Sequence, residues 1–294
     1  MITVHDLGSY NIKNDKKNIF TSCFQIWDGN NTIGEDLLEY NGVTYAMGKG
    51  SFDNVFNKAK KNYMPNLLFS LDKYTKKNTL ETDIVLGLPL DNLGVTNSIR
   101  DDLSGKEFEY KLNGVQKKIS IGKVAVVGEG IGAYYTIDES DRKDSDIILI
   151  DIGGRTSNIV TFRKGKLETK FTVPKGSINL FDDLATHYNN TNGYNKVAED
   201  IEELINKKVI TDTDEVVRIK EIFLNSILNE IDRKLDRRMF IHYFSGGGSL
   251  LIEKQIEELE KKDYEIKFIE NPVFANVLGN KLLAEAMWGE DSDE

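Results

Sequence analysis

Two stretches of the chain place a carboxylate, glycines and hydroxyls in the same order, Asp6-Leu-Gly8-Ser9-Tyr-Asn11-Ile12 and Asp151-Ile-Gly153-Gly154-Arg-Thr156-Ser-Asn-Ile159. Each follows an apolar run and leads into strand-forming residues, and the second copy carries two more turn residues. Glycines permit positive φ and close backbone approach. Successive N–H groups in such a turn make a nest for an anion. Ser9, Asn11 and Thr156 add side-chain polar groups, and Lys13 adds a positive charge shortly after the first turn. A carboxylate beside a phosphate nest makes sense when a hard cation lies between them. Asp6 and Asp151 are therefore read as holding Mg²⁺ through its waters, since this ion takes one or two carboxylates with phosphate oxygens. Either motif alone reads better as a plain Gly-rich hairpin; the pair, with matching acids and Lys13, favours phosphate binding.

A third glycine run, Ser245-Gly246-Gly247-Gly248-Ser249, follows an apolar strand and precedes a helix expected over 250–261. It offers a surface without side chains and a helix start to a ligand. No Lys-Ser/Thr follows it, which excludes a P-loop, and its spacing excludes a dinucleotide fingerprint. Glu129, between Gly128 and Gly130, reads from the residues alone as a solvated acid at a helix start. His5 and His242 fall on apolar strands and read as packing residues, and Cys23 as an inert thiol alternating within a strand. No zinc spacing and no Ser-His-Asp pattern is present.

The elements that must position these residues alternate between β and α. Strands are expected over 1–5, 18–27 and 84–88, with hairpins around Asn41-Gly42 and Asn113-Gly114, where both turn positions need positive φ, and around Lys164-Gly165. Residues 146–151 form a short apolar strand ended by an acid. A helix is expected over 54–73 with a break at Pro65, and a long one whose stripe is Ile219, Phe223, Ile227, Ile231, Leu235 and Met239. Asn271-Pro272 reads as the N-cap and first turn of a last helix ending near Trp288. The run Lys58-Ala-Lys-Lys61 reads as a solvated helix face or part of a subunit contact.

In chain order these parts resemble actin and its relatives. Asp6-x-Gly-Ser-x-x-x-Lys13 is similar to their first phosphate loop, Asp151-x-Gly-Gly-x-Thr156 to the second and Phe244-Ser-Gly-Gly-Gly-Ser249 to the adenosine loop. Residues 128–135 and 271–279 resemble the two connecting helices. The short chain, Gly87-Leu88-Pro89 and the acid at Glu129 resemble the plasmid-segregation actins of the ParM type. The resemblance implies an α/β actin-like two-lobed fold with duplicated ribonuclease-H-like cores and an interlobe nucleotide cleft. Lobe I would be residues 1–138 plus 272–294, and lobe II residues 139–271. It implies nucleotide binding through Gly8, Ser9, Asn11, Lys13, Gly153, Gly154, Thr156, Gly246, Gly247 and Gly248, with Mg²⁺ at Asp6 and Asp151. Glu129 would be the catalytic acid, and the small residues Gly132, Ala133, Ala275 and Gly279 would form a hinge between lobes. The nucleotide would be ATP, with GTP as the alternative.

The implied activity is ATP hydrolysis coupled to assembly and disassembly of a homopolymeric filament. That filament would segregate plasmid DNA through a ParR-type adaptor bound to a centromere-like site. Competing readings are a non-filamentous ATPase switch or kinase of the same superfamily, and a non-hydrolysing scaffold. The 294 residues carry 48 acidic and 38 basic side chains, a net charge of −10, which argues against direct binding to DNA or to an anionic membrane. A single cysteine excludes an intramolecular disulfide framework and fits a reducing cytoplasm. No run approaches the ~18 apolar residues of a membrane span. The N-terminus reads as mature structure, and residues 289–294 as a frayed acidic tail.

Overall fold

The computed structural model describes residues 1–29, 34–51, 62–88 and 90–289. The expected basic run at 58–61, the first part of the expected helix at 54–73, Pro89 and all but the first residue of the acidic tail lie outside them. The chain divides into two compact units, Met1–Thr136 with Phe274–Glu294, and Ile137–Val273.

The first unit is built on β1 (Ile2–Leu7), β2 (Asn11–Asn14), β3 (Ile19–Thr21), β4 (Phe24–Ile26), β5 (Asp36–Tyr40), β6 (Val43–Met47), β7 (Thr79–Leu88), β8 (Glu107–Leu112) and β9 (Val115–Gly128). They form one sheet in the order β3-β2-β1-β7-β9-β8-β5-β6-β4. With them are α1 (Met64–Tyr74), α2 (Thr96–Leu103) and the short α3 (Ile131–Tyr134). The second unit begins with α4 (Glu139–Asp144), β10 (Asp146–Ile152), β11 (Ser157–Arg163) and β12 (Lys166–Val173). It continues through α5 (Ser177–Asn192), α6 (Ala198–Asn206), α7 (Asp214–Asp232) and β13 (Ile241–Ser245). It ends with α8 (Gly247–Leu251), α9 (Glu253–Glu257) and β14 (Ile266–Phe268), its sheet running β12-β11-β10-β13-β14. The chain then returns to the first unit as α10 (Ala275–Trp288).

The two sheets repeat one topology. In β3-β2-β1-β7-β9 the successive pairings are antiparallel, antiparallel, parallel and parallel, and β12-β11-β10-β13-β14 gives the same series. Only the first unit extends its copy, with β8, β5, β6 and β4. The sequence reflects the layering. β10 is buried along nearly its whole length and reads as one apolar run, whereas β8 alternates between exposed and buried residues. In the first unit Leu67, Leu68 and Leu71 of α1 and Ile99 and Leu103 of α2 pack with Ile84, Leu86 and Ile119. Val277 and Ala284 of α10 pack with Val4, Val85 and Ala125. Neighbouring strand residues point to opposite faces, so α10 covers the face turned away from α1.

The three hairpin turns form where the dipeptides place them, with φ of 50° and 77° at Asn41-Gly42, 51° and 77° at Asn113-Gly114, and 44° and 81° at Lys164-Gly165. Other expectations need correction. The strand expected over 18–27 is two strands, β3 and β4, and Cys23 sits buried between them. In the described part of the helix expected over 54–73, α1 begins at Met64, with Pro65 in its first turn, where a missing N–H costs nothing. The long helix ends at Asp232; Leu235 lies beyond it and Met239 falls in a 3₁₀ turn and is exposed. A strict every-fourth-residue series drifts by about 40° per step. The buried stripe instead uses mixed spacing, Val216, Phe223, Leu224, Ile227, Leu228 and Ile231. The helix expected over 250–261 starts inside the glycine run and is broken at Ile252 into α8 and α9. Asn271 is not an N-cap: its φ is 53°, and α10 begins after Phe274. Instead the Pro272 carbonyl accepts from the Gly246 N–H at 3.0 Å, so the segment braces the glycine run.

Where α3 meets α10 the backbones touch. A Cβ on Gly279 would lie 1.7 Å from the Gly132 carbonyl oxygen, and one on Gly132 2.7 Å from the Asn276 carbonyl oxygen. Neither obstacle is a flexible side chain. Gly279→Ala is expected to cost about 3 kcal/mol through forced backbone displacement, which at 2–4 °C per kcal/mol lowers the melting temperature by roughly 6–12 °C. Thermal unfolding by circular dichroism reads this directly; a variant melting with the wild type would show that the two helices separate freely.

Candidate functional site

In the first unit the parallel strands β1, β7 and β9 end together. Asp6 pairs with Gly87 and Leu88 with Gly128, and the Glu129 N–H donates to the Leu88 carbonyl at 2.7 Å. The carboxyl ends of such strands are where open α/β sheets place ligands. Asp6, Gly87 and Glu129 are thus carried on three adjacent strand ends. Across the β1–β2 hairpin Asp6 faces Lys13, and Lys13 Nζ lies 3.2 Å from Asp6 Oδ2. Asp6 is buried, and its Oδ1 has no hydrogen-bond partner among the described residues. The turn between them is residues 8–11, where a Cβ on Gly8 would lie 2.5 Å from the Asn11 carbonyl oxygen. Ser22 holds the turn from behind, its Oγ donating to the Ser9 carbonyl at 2.6 Å and its N–H to that of Tyr10 at 2.9 Å.

The second unit repeats this at β10 and β13. Asp151 pairs with Asn158 across the hairpin and with Ser245 on the parallel side. The last paired residues are Leu7 with Ile12 and Ile152 with Ser157, so the turns, 8–11 and 153–156, are equal in length. The two extra residues read into the second turn belong to β11, and the structural counterpart of Lys13 is Asn158, a buried neutral amide. Gly153 donates its N–H to the Thr156 carbonyl at 2.9 Å. The Gly153 and Gly154 carbonyls accept from the Ser177 and Ile178 N–H groups that open α5, at 2.9 and 2.8 Å. Orphan donors of a helix start are thereby met, and the peptide planes of the turn are fixed.

The three glycines of the third run differ. Gly246, at φ 84°, has no space for a Cβ, which would lie 2.3 Å from the Ile152 carbonyl oxygen and 2.8 Å from Asp151 Oδ1. Gly248 is closed by Ile152 Cγ2 at 2.3 Å, while Gly247 is exposed with nothing within 4 Å. So the structure brings Gly246 to Asp151 and leaves Gly247 as the open face.

Sequence reasoning missed two residues. Asn276 Oδ1 accepts from the Gly130 and Ala133 N–H groups at 2.8 and 3.3 Å, capping the start of α3 across the chain. Asn280 lies one turn further along α10 and is 1% exposed. The signal was available as two amides four residues apart on an otherwise apolar helix stripe. Among the described residues no three His, Cys, Asp or Glu side chains gather as a metal cage. A hard cation fits the residues present through Asp6, whose unmet oxygen is the donor type that Mg²⁺ or its waters take.

The family model described as "Actin like proteins N terminal domain" matches residues 5–132, and that described as "Archaeal actin homologue MreB-like, C-terminal" matches residues 149–258. No curated protein matches by sequence. Among solved structures, the archaeal actin homologue Ta0583 in complex with ADP is 21% identical with a TM-score of 0.81, covering 97% of this chain and 99% of its own. A non-polymerisable mutant of pCBH ParM is 21% identical with a TM-score of 0.77 over 97% and 99%. The AlfA filament from a B. subtilis plasmid is 17% identical with a TM-score of 0.65 over 96% and 98%. With residues 5–132 and 149–258 matched in order by two actin-homologue models, and nearly the whole length superposing on archaeal and plasmid-borne structures, the chain has the actin-like fold.

Proposed function

We propose that this protein is an ATPase that forms actin-like filaments in the cytoplasm and segregates plasmid DNA through an adaptor. The observation that carries the reading is the repeated site. Each duplicated sheet ends its central strand in a buried aspartate beside a turn of equal length, Asp6 with residues 8–11 and Asp151 with residues 153–156. Similarity to the pCBH ParM and AlfA structures supports self-assembly, and the ADP complex of Ta0583 supports the nucleotide.

In this reading the nucleotide-binding residues are Gly8, Ser9, Asn11 and Lys13, with Gly153, Gly154, Thr156 and Gly246 to Gly248. Lys13 neutralises charge at the phosphates. Asp6 and Asp151 would hold Mg²⁺ through its waters, and the ion would supply charge neutralisation at the phosphates. Glu129 accepts a proton from the water that attacks the γ-phosphorus; the bond to the bridging oxygen breaks, and ADP and phosphate leave. The net charge of −10 leaves DNA contact to a ParR-type adaptor.

Electron microscopy and sedimentation of the purified chain with Mg-ATP, with ADP and without nucleotide test the reading. Filaments with ATP that disappear as phosphate is released support it, and a protein that stays monomeric in every condition refutes it. Asp151→Ala is expected to weaken Mg-ATP binding about 10- to 100-fold, the loss of one hydrogen bond to a charged group. Calorimetry reads the change, and wild-type affinity would remove Asp151 from the site.

A further inference from the structure

Asn280 interrupts the apolar stripe of α10 between Val277 and Ala284, is 1% exposed, and has no hydrogen-bond partner at either amide atom among the described residues. Buried amides in folded proteins are met by protein or ordered water, because an unmet one is costly. Two glycines surround this one. Asn280 Oδ1 lies against the Cα of Gly132, where a Cβ would be 2.2 Å away. Asn280 Nδ2 lies 3.8 Å from the point a Cβ of Gly87 would occupy, and Asp6 Cβ lies 3.9 Å from the same point. Register explains the meeting. Val4 pairs with Val85 and Asp6 with Gly87, and alternation turns all four to the face that α10 covers. Of the Asp6 carboxylate, Oδ2 is taken by Lys13 while Oδ1 is buried and unmet. The unmet Nδ2 donor thus borders the space left by the missing side chain of Gly87, and Asp6, whose Oδ1 is unmet, borders the same space through its Cα and Cβ.

We propose that Asn280 is a positioning residue for Asp6, acting through one ordered water. Asn280 Nδ2 donates to the water and the water donates to Asp6 Oδ1. That bond fixes the carboxylate plane, so that its remaining lone pairs face the waters of the bound cation. Gly87 leaves the space for the bridge, and Gly132 lets the amide approach. The proposal rests on the Mg-nucleotide reading of Asp6 given above and adds an outer partner to it. Removing such outer partners commonly costs about 10- to 100-fold in metal affinity.

The test is calorimetry of ADP binding to the full chain, with excess Mg²⁺ and with EDTA, for the wild type, Asn280→Leu and Asn280→Ala. Both variants are expected to lose about 10-fold of the gain in ADP affinity that Mg²⁺ confers, and to match the wild type in EDTA. Asn280→Leu replaces an unmet amide by an apolar group of similar shape and is expected to melt no lower than the wild type without ligand. If the Leu side chain is too bulky against Gly132 to fold, Asn280→Ala carries the binding test alone. Unchanged Mg²⁺ dependence in the variants overturns the proposal. So does an equal loss with and without Mg²⁺, which would make Asn280 a packing residue. A wild type that binds ADP but gains nothing from Mg²⁺ removes the cation from Asp6 and the role of Asn280 with it.

Discussion

Glu129→Ala is expected to assemble with ATP as the wild type does, and then to release phosphate about 10²- to 10⁴-fold more slowly. At ~1.36 kcal/mol per decade that is roughly 3–5 kcal/mol of barrier. The separation of assembly from turnover follows from what the side chain is asked to do. Ground-state binding in our reading belongs to the phosphate turns, and Glu129 contributes only as water attacks. The backbone here is held without its help, because the Glu129 N–H is fixed to the Leu88 carbonyl and the next N–H, of Gly130, to Asn276 Oδ1. Truncation therefore leaves the strand end in place, and filaments of the variant persist. Light scattering and phosphate release followed on one sample give both readouts. Wild-type release returns Glu129 to the solvated acid that its neighbours alone suggest, and failure to bind ATP makes it structural.

Acid is expected to destabilise the protein steeply through two buried histidines. His5 is fully buried, with Nδ1 2.7 Å from Ser70 Oγ and Nε2 3.0 Å from Thr3 Oγ1, and burial pushes its pKa down from 6.5 to about 3. His242, packed edge-on to Tyr264 at 5.1 Å, is pushed down to about 4 by burial and then by the charge of Arg237. Both are neutral in the folded chain and bind a proton on unfolding. The unfolded state therefore holds more protons below the ordinary value of 6.5. Stability is complete above that pH and falls as the pH drops toward the folded values. Each histidine adds a slope of ~1.4 kcal/mol per pH unit, so the pair gives about 2–3 kcal/mol per unit between roughly pH 6 and 4. Urea unfolding across that range measures the slope. His5→Asn keeps hydrogen-bonding capacity without a titrating group, and is expected to lower the slope by about half; an unchanged slope would place the acid response elsewhere.

The parts of the fold that were legible in the sequence are those fixed by local chemistry. Asn-Gly turns need positive φ at both positions, and a central strand such as β10 must be apolar throughout. The boundaries that failed were set at a distance. Asn271-Pro272 looks like a helix start, yet its carbonyl is taken by the glycine run, and the helix waits until Phe274. The series Ile219 to Met239 looks like one stripe, but the helix has rotated out of phase before Leu235. At the site, the aspartates, the turns and the glycine run were legible because each is a contiguous motif. Asn276 and Asn280 were not, because their roles arise only when α10 meets α3 and β7. The pairing of Lys13 with Asn158 as equivalents was hidden too, since register rather than letter order decides which residues correspond.

The cap that Asn276 places on α3 spans 146 positions of chain. Protein synthesis proceeds at about 5–20 residues per second, so roughly 7–30 s separate the emergence of Gly130 from that of its cap. Throughout this interval Val4 and Val85 lack the helix that covers them, and Gly132 lacks Gly279. The second unit, by contrast, is one uninterrupted segment, Ile137–Val273, and is entirely translated before α10 appears. On the ribosome the order of completion is therefore inverted: the unit begun second is the first that has all its parts, and the nascent first unit is the client that a chaperone would meet.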